Sequence, residues 1–315
     1  MTLSSLSDYL AQKTASPAKH ELAKLIEALA QSAVYISDIA SQNGLGAKQL
    51  GRLAGGENQD GDSQKQLDVM ADEHIACALN QAGASAYFSE ERDEALLFDE
   101  AAPFAVAADP LDGSSNIDTN MTIGTIFSIF KTDDIQNQMP PHGRAQQAAG
   151  LFIYGPQTVL LLSFGDEVKA FALDQDKQFQ VMAWDVKIPS DAAEFAINAS
   201  NTLRWAPEVK AYIDSLLHSG ANMRWLGSLV ADAYRIFRRG GIFLYPADNR
   251  KGYEQGRLRL VYEANPIAFL VEAAGGKATT GKIDILDVPV ERIHQRVPLI
   301  FGSSTQIKRF LSLIH

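Results

Sequence analysis

The sequence predicts an α/β protein, more closely an α+β layered sandwich, in which mixed sheets and helices form two subdomains. Three observations carry this. At 315 residues the chain exceeds the ~100–200 residues of an ordinary single domain. Short, uncharged, β-rich runs are interleaved with amphipathic helical stretches, a pattern that stacks sheets and helices in layers. At Pro189-Ser190 the pattern changes, which places a boundary between residues 1–189 and 190–315.

Ser16-Pro17 reads as an N-cap followed by proline at the first helical position. Leu22, Ile26, Leu29, Ala33 and Ile36 then recur at helical spacing, predicting a helix over residues 17–40. From Asn43 to Gln66 six glycines fall among polar residues, predicting a long loop, and loops of that length are usually functional or disordered. A helix follows over 69–81, then a short strand, Tyr87 to Glu91, that ends in two acids. Phe104 to Ala108 is a brief apolar strand stopped by Asp109-Pro110, because proline donates no ladder hydrogen bond. Strands are predicted over 122–131, 150–156, 158–164, 168–173 and 179–184.

Beyond the boundary come a strand at 195–198, a helix at 207–218, a helix at 227–239 and a buried strand at 241–246. Arg257 to Tyr262 is predicted as a strand ending in Glu263, and Asn265-Pro266 opens a helix that Gly275-Gly276 caps. A last strand and helix occupy 297–302 and 306–314.

Composition narrows the chemistry. Charged residues sum to 28 − 38 = −10, with no basic stripe of the kind nucleic acid requires. No apolar run reaches the ~20 residues of a membrane span, and the N-terminus lacks a signal-peptide pattern, so a cytoplasmic location is expected. The single cysteine, Cys77, excludes an internal disulfide and is expected to be a buried structural thiol. An acidic protein meets a phosphorylated ligand through cations, since carboxylates hold the metal and the metal holds phosphate.

One stretch gathers these requirements: Asp109-Pro110-Leu111-Asp112-Gly113-Ser114-Ser115-Asn116-Ile117-Asp118. Asp109 and Asp112 leave a strand end on a stiff turn, as hard divalent cations demand of oxygen ligands. Gly113, Ser114 and Ser115 follow with backbone amides and hydroxyls that can cradle an anion. A bare Asp-Pro-x-Asp-Gly is also an ordinary turn signal. The full string is more specific. It resembles the signature of the magnesium-dependent, lithium-sensitive phosphatases, and in this version that of the class I fructose-1,6-bisphosphatases. Gly61-Asp62, Leu67-Asp68-Val69, Ser89-Glu90-Glu91, Gly240 to Pro246, Tyr262-Glu263-Ala264-Asn265-Pro266, Ala278 to Lys282 and His294-Gln295-Arg296 are similar to other segments of that family.

The resemblance implies a sugar-phosphatase fold, with a metal- and phosphate-binding subdomain before residue 189 and a sugar-phosphate-binding one after it. It implies Mg²⁺, two or three ions per subunit with Mn²⁺ or Zn²⁺ as possible substitutes, held by Glu90, Asp109, Asp112, Glu263 and the Leu111 carbonyl. Gly113, Ser114 and Ser115 would bind the scissile phosphate together with Asp112. Glu91 and Asp68 would polarise the attacking water, and Asp62 would assist from the long loop. Asn198, Tyr245, Arg257 and Arg224 would hold the distal phosphate and sugar, with Arg224 reaching in from a neighbouring subunit of a homotetramer. The implied reaction is hydrolysis of the 1-phosphate of fructose 1,6-bisphosphate. Sedoheptulose-1,7-bisphosphatase activity is the alternative, and an inactive binding paralogue a distant one. Gluconeogenesis and carbon fixation both stay open as the pathway.

The chain departs from the family where Arg257 replaces lysine and where Trp225 and Asn201 replace tyrosines. It departs again at the family's AMP site. Ala18-Lys19-His20-Glu21-Leu22-Ala23 lacks the threonines and glycines that receive the nucleotide phosphate, and Pro103-Phe104 replaces a Lys-Tyr pair. Weak or absent AMP inhibition is therefore expected.

Overall fold

The computed structural model describes residues 5–14, 17–42, 53–57, 63–135 and 139–314. Helix α1 (Leu6–Lys13) starts behind Ser5, whose side chain accepts from the Asp8 amide. Helices α2 (Pro17–Ser41) and α3 (Gln66–Gln81) follow, and α2 buries Leu22, Ile26, Leu29, Ala33 and Ile36, the stripe its periodicity predicts. Between them β1 (Leu53–Glu57) and β2 (Ser63–Lys65) pair antiparallel inside the segment expected to be one loop. Backbone pairing needs no side-chain pattern, so the glycine-rich composition hid it. The remainder of that segment, residues 43–52 and 58–62 with Asp62, lies outside the described residues, as does the expected cap Ser16.

Eight strands build the larger sheet: β3 (Ala86–Ser89), β4 (Leu96–Leu97), β5 (Phe104–Asp112), β6 (Ile123–Lys131), β7 (Ala148–Tyr154), β8 (Thr158–Ser163), β9 (Val168–Leu173) and β10 (Phe179–Val181). Their order is β10-β9-β8-β7-β6-β5-β3-β4, and only β3 and β5 are parallel neighbours. The rest of the chain supplies α4 (Pro207–His218), α5 (Leu229–Arg239), α6 (Asn265–Ala273) and α7 (Ser304–Ile314). With them come β11 (Glu194–Ile197), β12 (Asn222–Met223), β13 (Ile242–Tyr245), β14 (Leu258–Arg259), β15 (Lys277–Thr279), β16 (Arg296–Val297) and β17 (Leu299–Gly302). A five-stranded sheet runs β12-β11-β13-β17-β15, and β14 pairs separately with β16.

The layers follow from which face each strand residue presents. Val106, Phe127, Ile129, Phe152, Leu160 and Phe171 of the large sheet pack on α1, α2 and α3. Its opposite face, with Ile126, Leu151 and Leu161, packs on α5 and α6, which also cover Ala196, Phe243 and Phe301 of the smaller sheet. The far face of the smaller sheet, with Phe195, Ile197, Leu244 and Ile300, is closed by α4 and α7. The result is five layers, helix-sheet-helix-sheet-helix. Strands buried on both faces read as near-continuous apolar runs, and every residue of β5 is buried. No helix among the described residues is long and apolar enough to cross a membrane.

Three local expectations need correction. Strand β5 does not stop at Asp109 but continues through Pro110 to Asp112. Asp109 faces Ile126 and Asp112 faces Gly124, three steps against two, so a bulge absorbs the proline without ending the strand. Its carbonyl accepts from the Thr125 hydroxyl at 2.8 Å. Second, Leu260–Ala264 is a π-helical turn leading straight into α6, with only Leu258–Arg259 as strand. Third, Cys77 is exposed, because the buried stripe of α3 is Leu67, Asp68, Ala71, Asp72, Ile75, Ala76 and Leu79.

Candidate active site

The acids converge where β3 and β5, the parallel pair, end side by side. The register sets Ser89 opposite Ala108, so Glu90 and Glu91 leave one strand beside Asp109 on the other. The Glu90 amide extends this pairing to the Ala108 carbonyl at 3.1 Å. From a third direction the π turn before α6 brings in Glu263, whose carboxylate accepts from the Arg259 amide four residues upstream. One carboxylate oxygen each from Glu90, Asp109 and Glu263 lies within 4.8 Å of the others, a spacing suited to holding a metal ion.

Such crowding is electrostatically costly. Burial, with Glu90, Asp112 and Glu263 beside it, pushes the Asp109 carboxyl well above its ordinary range. Burial and then Glu90 do the same to Glu263, against the pull of Arg259. Among the described residues the counter-charge within the cluster is Arg259, whose Nη1 lies 3.1 Å from Glu90 Oε1. Three clustered carboxylates against one guanidinium leave a surplus of negative charge that a divalent cation would offset, so the residues present fit such an ion.

Asp112 sits apart from the trio. Its Oδ2 accepts from the Val230 amide at 2.9 Å and the Ser228 hydroxyl at 3.1 Å, at the N-terminus of α5. Burial pushes its carboxyl up to about 6 although those donors oppose the rise. Gly113 then turns the chain with φ +83°, and a Cβ there would stand 3.1 Å from the Ser228 Cβ, so glycine meets both the turn and the close approach. Ser114–Asn116 form a single 3₁₀ turn. The Ser114 hydroxyl donates to the Leu111 carbonyl at 3.2 Å. On the first turn of α3, Asp68 Oδ2 accepts from the Lys65 amide at 2.8 Å, and burial holds its carboxyl at about 6.

These groups line one cavity of about 590 Å³ that runs from the acid cluster to Asn198, Tyr245 and Arg257. The structure therefore brings together Asp68, Glu90, Glu91, Asp109, Leu111, Asp112, Gly113, Ser114, Ser115, Asn198, Tyr245, Arg257 and Glu263. Asp62 is outside the described residues. Arg224 does not line the cavity of its own chain. It is exposed, and its guanidinium donates to the Met223 carbonyl at 3.0 Å. Also lining this cavity, Trp225 stacks on Phe243 at 5.8 Å, next to Tyr245 at 6.0 Å, and forms an aromatic wall.

Sequence reasoning missed Lys65, Ser228 and Arg259. The signal for Arg259 was present: Arg257-Leu258-Arg259 alternates, so both arginines share one side, and a buried acid cluster calls for a cation.

Comparison with known proteins gives a consistent answer along the whole chain. Residues 2–183 match the family model described as fructose-1-6-bisphosphatase, N-terminal domain, and residues 188–315 the C-terminal domain. A class 1 fructose-1,6-bisphosphatase of Rhodopseudomonas palustris (strain TIE-1) is 46% identical over 323 residues, covering 100% of this chain and 92% of that one. That of Nitrobacter vulgaris is 50% identical over 303 residues, covering 93% and 87%. The crystal structure of Leishmania major fructose-1,6-bisphosphatase in holo form superposes with a TM-score of 0.92 at 31% identity, covering 99% of each chain.

Proposed function

The chain belongs to the class 1 fructose-1,6-bisphosphatase family, and from that premise we propose that it hydrolyses fructose 1,6-bisphosphate to fructose 6-phosphate and phosphate with Mg²⁺ as its metal. The observation that carries this is the convergence of Glu90, Asp109 and Glu263 in one cavity that is also lined by the Gly113–Ser115 turn and by Arg257. Mg²⁺ held by these acids, by Asp112 and by the Leu111 carbonyl would polarise the scissile phosphoryl group and lower the pKa of water.

The chain's own groups supply the rest. Amides and hydroxyls of Gly113, Ser114 and Ser115, with Asp112 behind them, orient the 1-phosphate. Glu91 and Asp68 take the proton of the attacking water, with Asp62 assisting. A carboxyl near 6, as at Asp68, suits proton transfer near neutrality. The water oxygen bonds to phosphorus while the bond to the sugar O1 breaks, and O1 receives a proton. Arg257, Tyr245 and Asn198 hold the 6-phosphate and the sugar. We place Arg224 in a neighbouring subunit's site within a homotetramer, and take 1–189 and 190–315 as the two subdomains.

The test uses protein stripped with a chelator and supplied with fructose 1,6-bisphosphate. Phosphate and fructose 6-phosphate should appear in equal amounts only after Mg²⁺ is restored. Undiminished turnover in chelator would overturn the metal assignment, and none with any divalent cation would overturn the activity.

A further inference from the structure

Asp72 is a buried charge that the reaction as described leaves without a role. It lies on α3, one turn beyond Asp68, and is 4% exposed. Its Oδ1 accepts from the Ser89 hydroxyl at 2.6 Å, and its Oδ2 lies 2.6 Å from the Arg92 guanidinium. Ser89 and Arg92 bracket the two acids Glu90 and Glu91 in sequence. The same Ser89 hydroxyl accepts from the Glu91 amide at 3.2 Å, and the Arg92 amide closes the turn on the Ser89 carbonyl at 3.3 Å. From the opposite side His294 Nε2 lies 3.0 Å from the Arg92 carbonyl.

Both ends of the acid-bearing turn are therefore tied to one carboxylate on a rigid helix. That helix also carries Asp68, so the tie fixes Glu91 relative to its proposed partner. A buried carboxylate is retained only with full pairing, and here a hydroxyl and a guanidinium supply it.

We propose that Asp72 is a positioning residue for the Glu90–Glu91 turn, acting through Ser89 and Arg92 to set the geometry in which Glu90 meets the metal and Glu91 meets the water. This rests on the metal reading of the site. Groups that orient metal ligands change metal affinity or activity by about 10–100-fold when removed. Asp72→Ala should accordingly lower kcat and raise the Mg²⁺ concentration for half-maximal activity, each by roughly tenfold or more. KM for fructose 1,6-bisphosphate should change little, because Arg257 and Tyr245 are untouched. Asp72→Asn keeps an acceptor for Ser89 but loses the charge opposite Arg92, and should recover part of the Mg²⁺ affinity.

Should Asp72→Ala fail to fold, Ser89→Ala removes the link to the turn while leaving the buried ion pair intact, and should shift the Mg²⁺ midpoint in the same direction. A lower melting temperature with kcat and the Mg²⁺ midpoint both unchanged would reduce Asp72 to a packing residue and overturn the proposal. An unshifted midpoint in Ser89→Ala would also overturn it. Wild-type enzyme indifferent to chelation would instead overturn the metal reading beneath it, so the two failures are distinguishable.

Discussion

Arg257 lines the same cavity as the acids, with its Nη1 donating to the Tyr253 hydroxyl at 3.2 Å. A charged hydrogen bond to a phosphate contributes about 1.5–3 kcal/mol. Arg257→Ala should therefore raise KM for fructose 1,6-bisphosphate by roughly one to two decades and narrow its advantage over fructose 1-phosphate. Steady-state kinetics on both substrates checks this, and an unchanged KM would remove Arg257 from the pocket. The acids permit a second expectation, about metal-free protein. Burial and neighbouring carboxylates raise Asp109 and Glu263 well above their ordinary values, and burial raises Asp112 and Asp68 from 3.8 to about 6. Raised folded-state values mean that the folded form binds more protons than the unfolded one. Their stabilisation is thus complete below about pH 4 and lost as pH rises through 6 and beyond. Depressed acids such as Asp166 and Asp248 act oppositely, but below their ordinary 3.8. Chelated protein should melt at a falling temperature from about pH 4.5 to 7.5, and Mg²⁺ should restore most at the upper end. A melting temperature flat across that window would show that the cluster does not carry this charge. Most of these residues were legible because each ends a strand or opens a helix beside Gly, Pro or a second acid. Arg259 and Lys65 were not, since nothing in a linear reading says which cation will face which acid.

Helix α2 is where sequence and element agree most closely, and it also carries the expectation about regulation. Its N-terminal residues Ala18 to Ala23 offer no threonine or serine hydroxyl, and Glu21 is paired with Lys24 at 2.9 Å. Phe104, in the place of a family tyrosine, is 6% exposed and packed into the core on the α1–α3 side of the large sheet. Several missing hydrogen bonds at about 0.5–1.5 kcal/mol each would weaken a nucleotide phosphate by two decades or more. AMP at micromolar concentration should leave activity unchanged at saturating Mg²⁺ and low substrate. Half-inhibition in that range, abolished by Lys19→Ala, would reveal a rebuilt site. Elements elsewhere were misread for identifiable reasons. A bulge lets β5 run through Pro110, so a rule about proline in strands was overridden by pairing on both flanks. The alternation in Arg257-Leu258-Arg259-Leu260 imitates a strand, yet Leu260, Ala264, Ile267, Ala268 and Val271 recur at helical spacing and mark the turn that leads into α6. Reading that longer period would have put Glu263 on a helical turn, where it can fold back on the Arg259 amide.

On the scale of the molecule, the site occupies the seam between the two sheets. The large sheet contributes Glu90, Asp109 and Asp112, and the smaller sheet with its flanking loops contributes Asn198, Tyr245 and Arg257. Two layers of strands and three of helices follow from residues that alternate between apolar faces, which is why the layered class was legible. How the sheets are set against each other was not, because it depends on close approaches such as Val230 of α5 against Gly124, where a Cβ would stand 2.6 Å from Val230 Cγ2. One expected contributor, Arg224, is missing from the cavity of its own chain and is exposed near Met223 and Leu226, themselves 44% and 40% exposed. If Arg224 serves a neighbour's site, complementation must follow. Arg224→Ala alone should raise KM by about one to two decades, and Asp109→Asn alone should nearly abolish turnover. In a mixed oligomer, a site with intact Asp109 can receive an intact Arg224 from the other variant's subunit. Its partner site then carries both defects. Mixing the two purified variants under conditions of subunit exchange should restore a component of activity with wild-type KM, its amplitude following the fraction of hybrid contacts. Were Arg224 to act within its own chain, the mixture would show only the high KM of the first variant, diluted by the second.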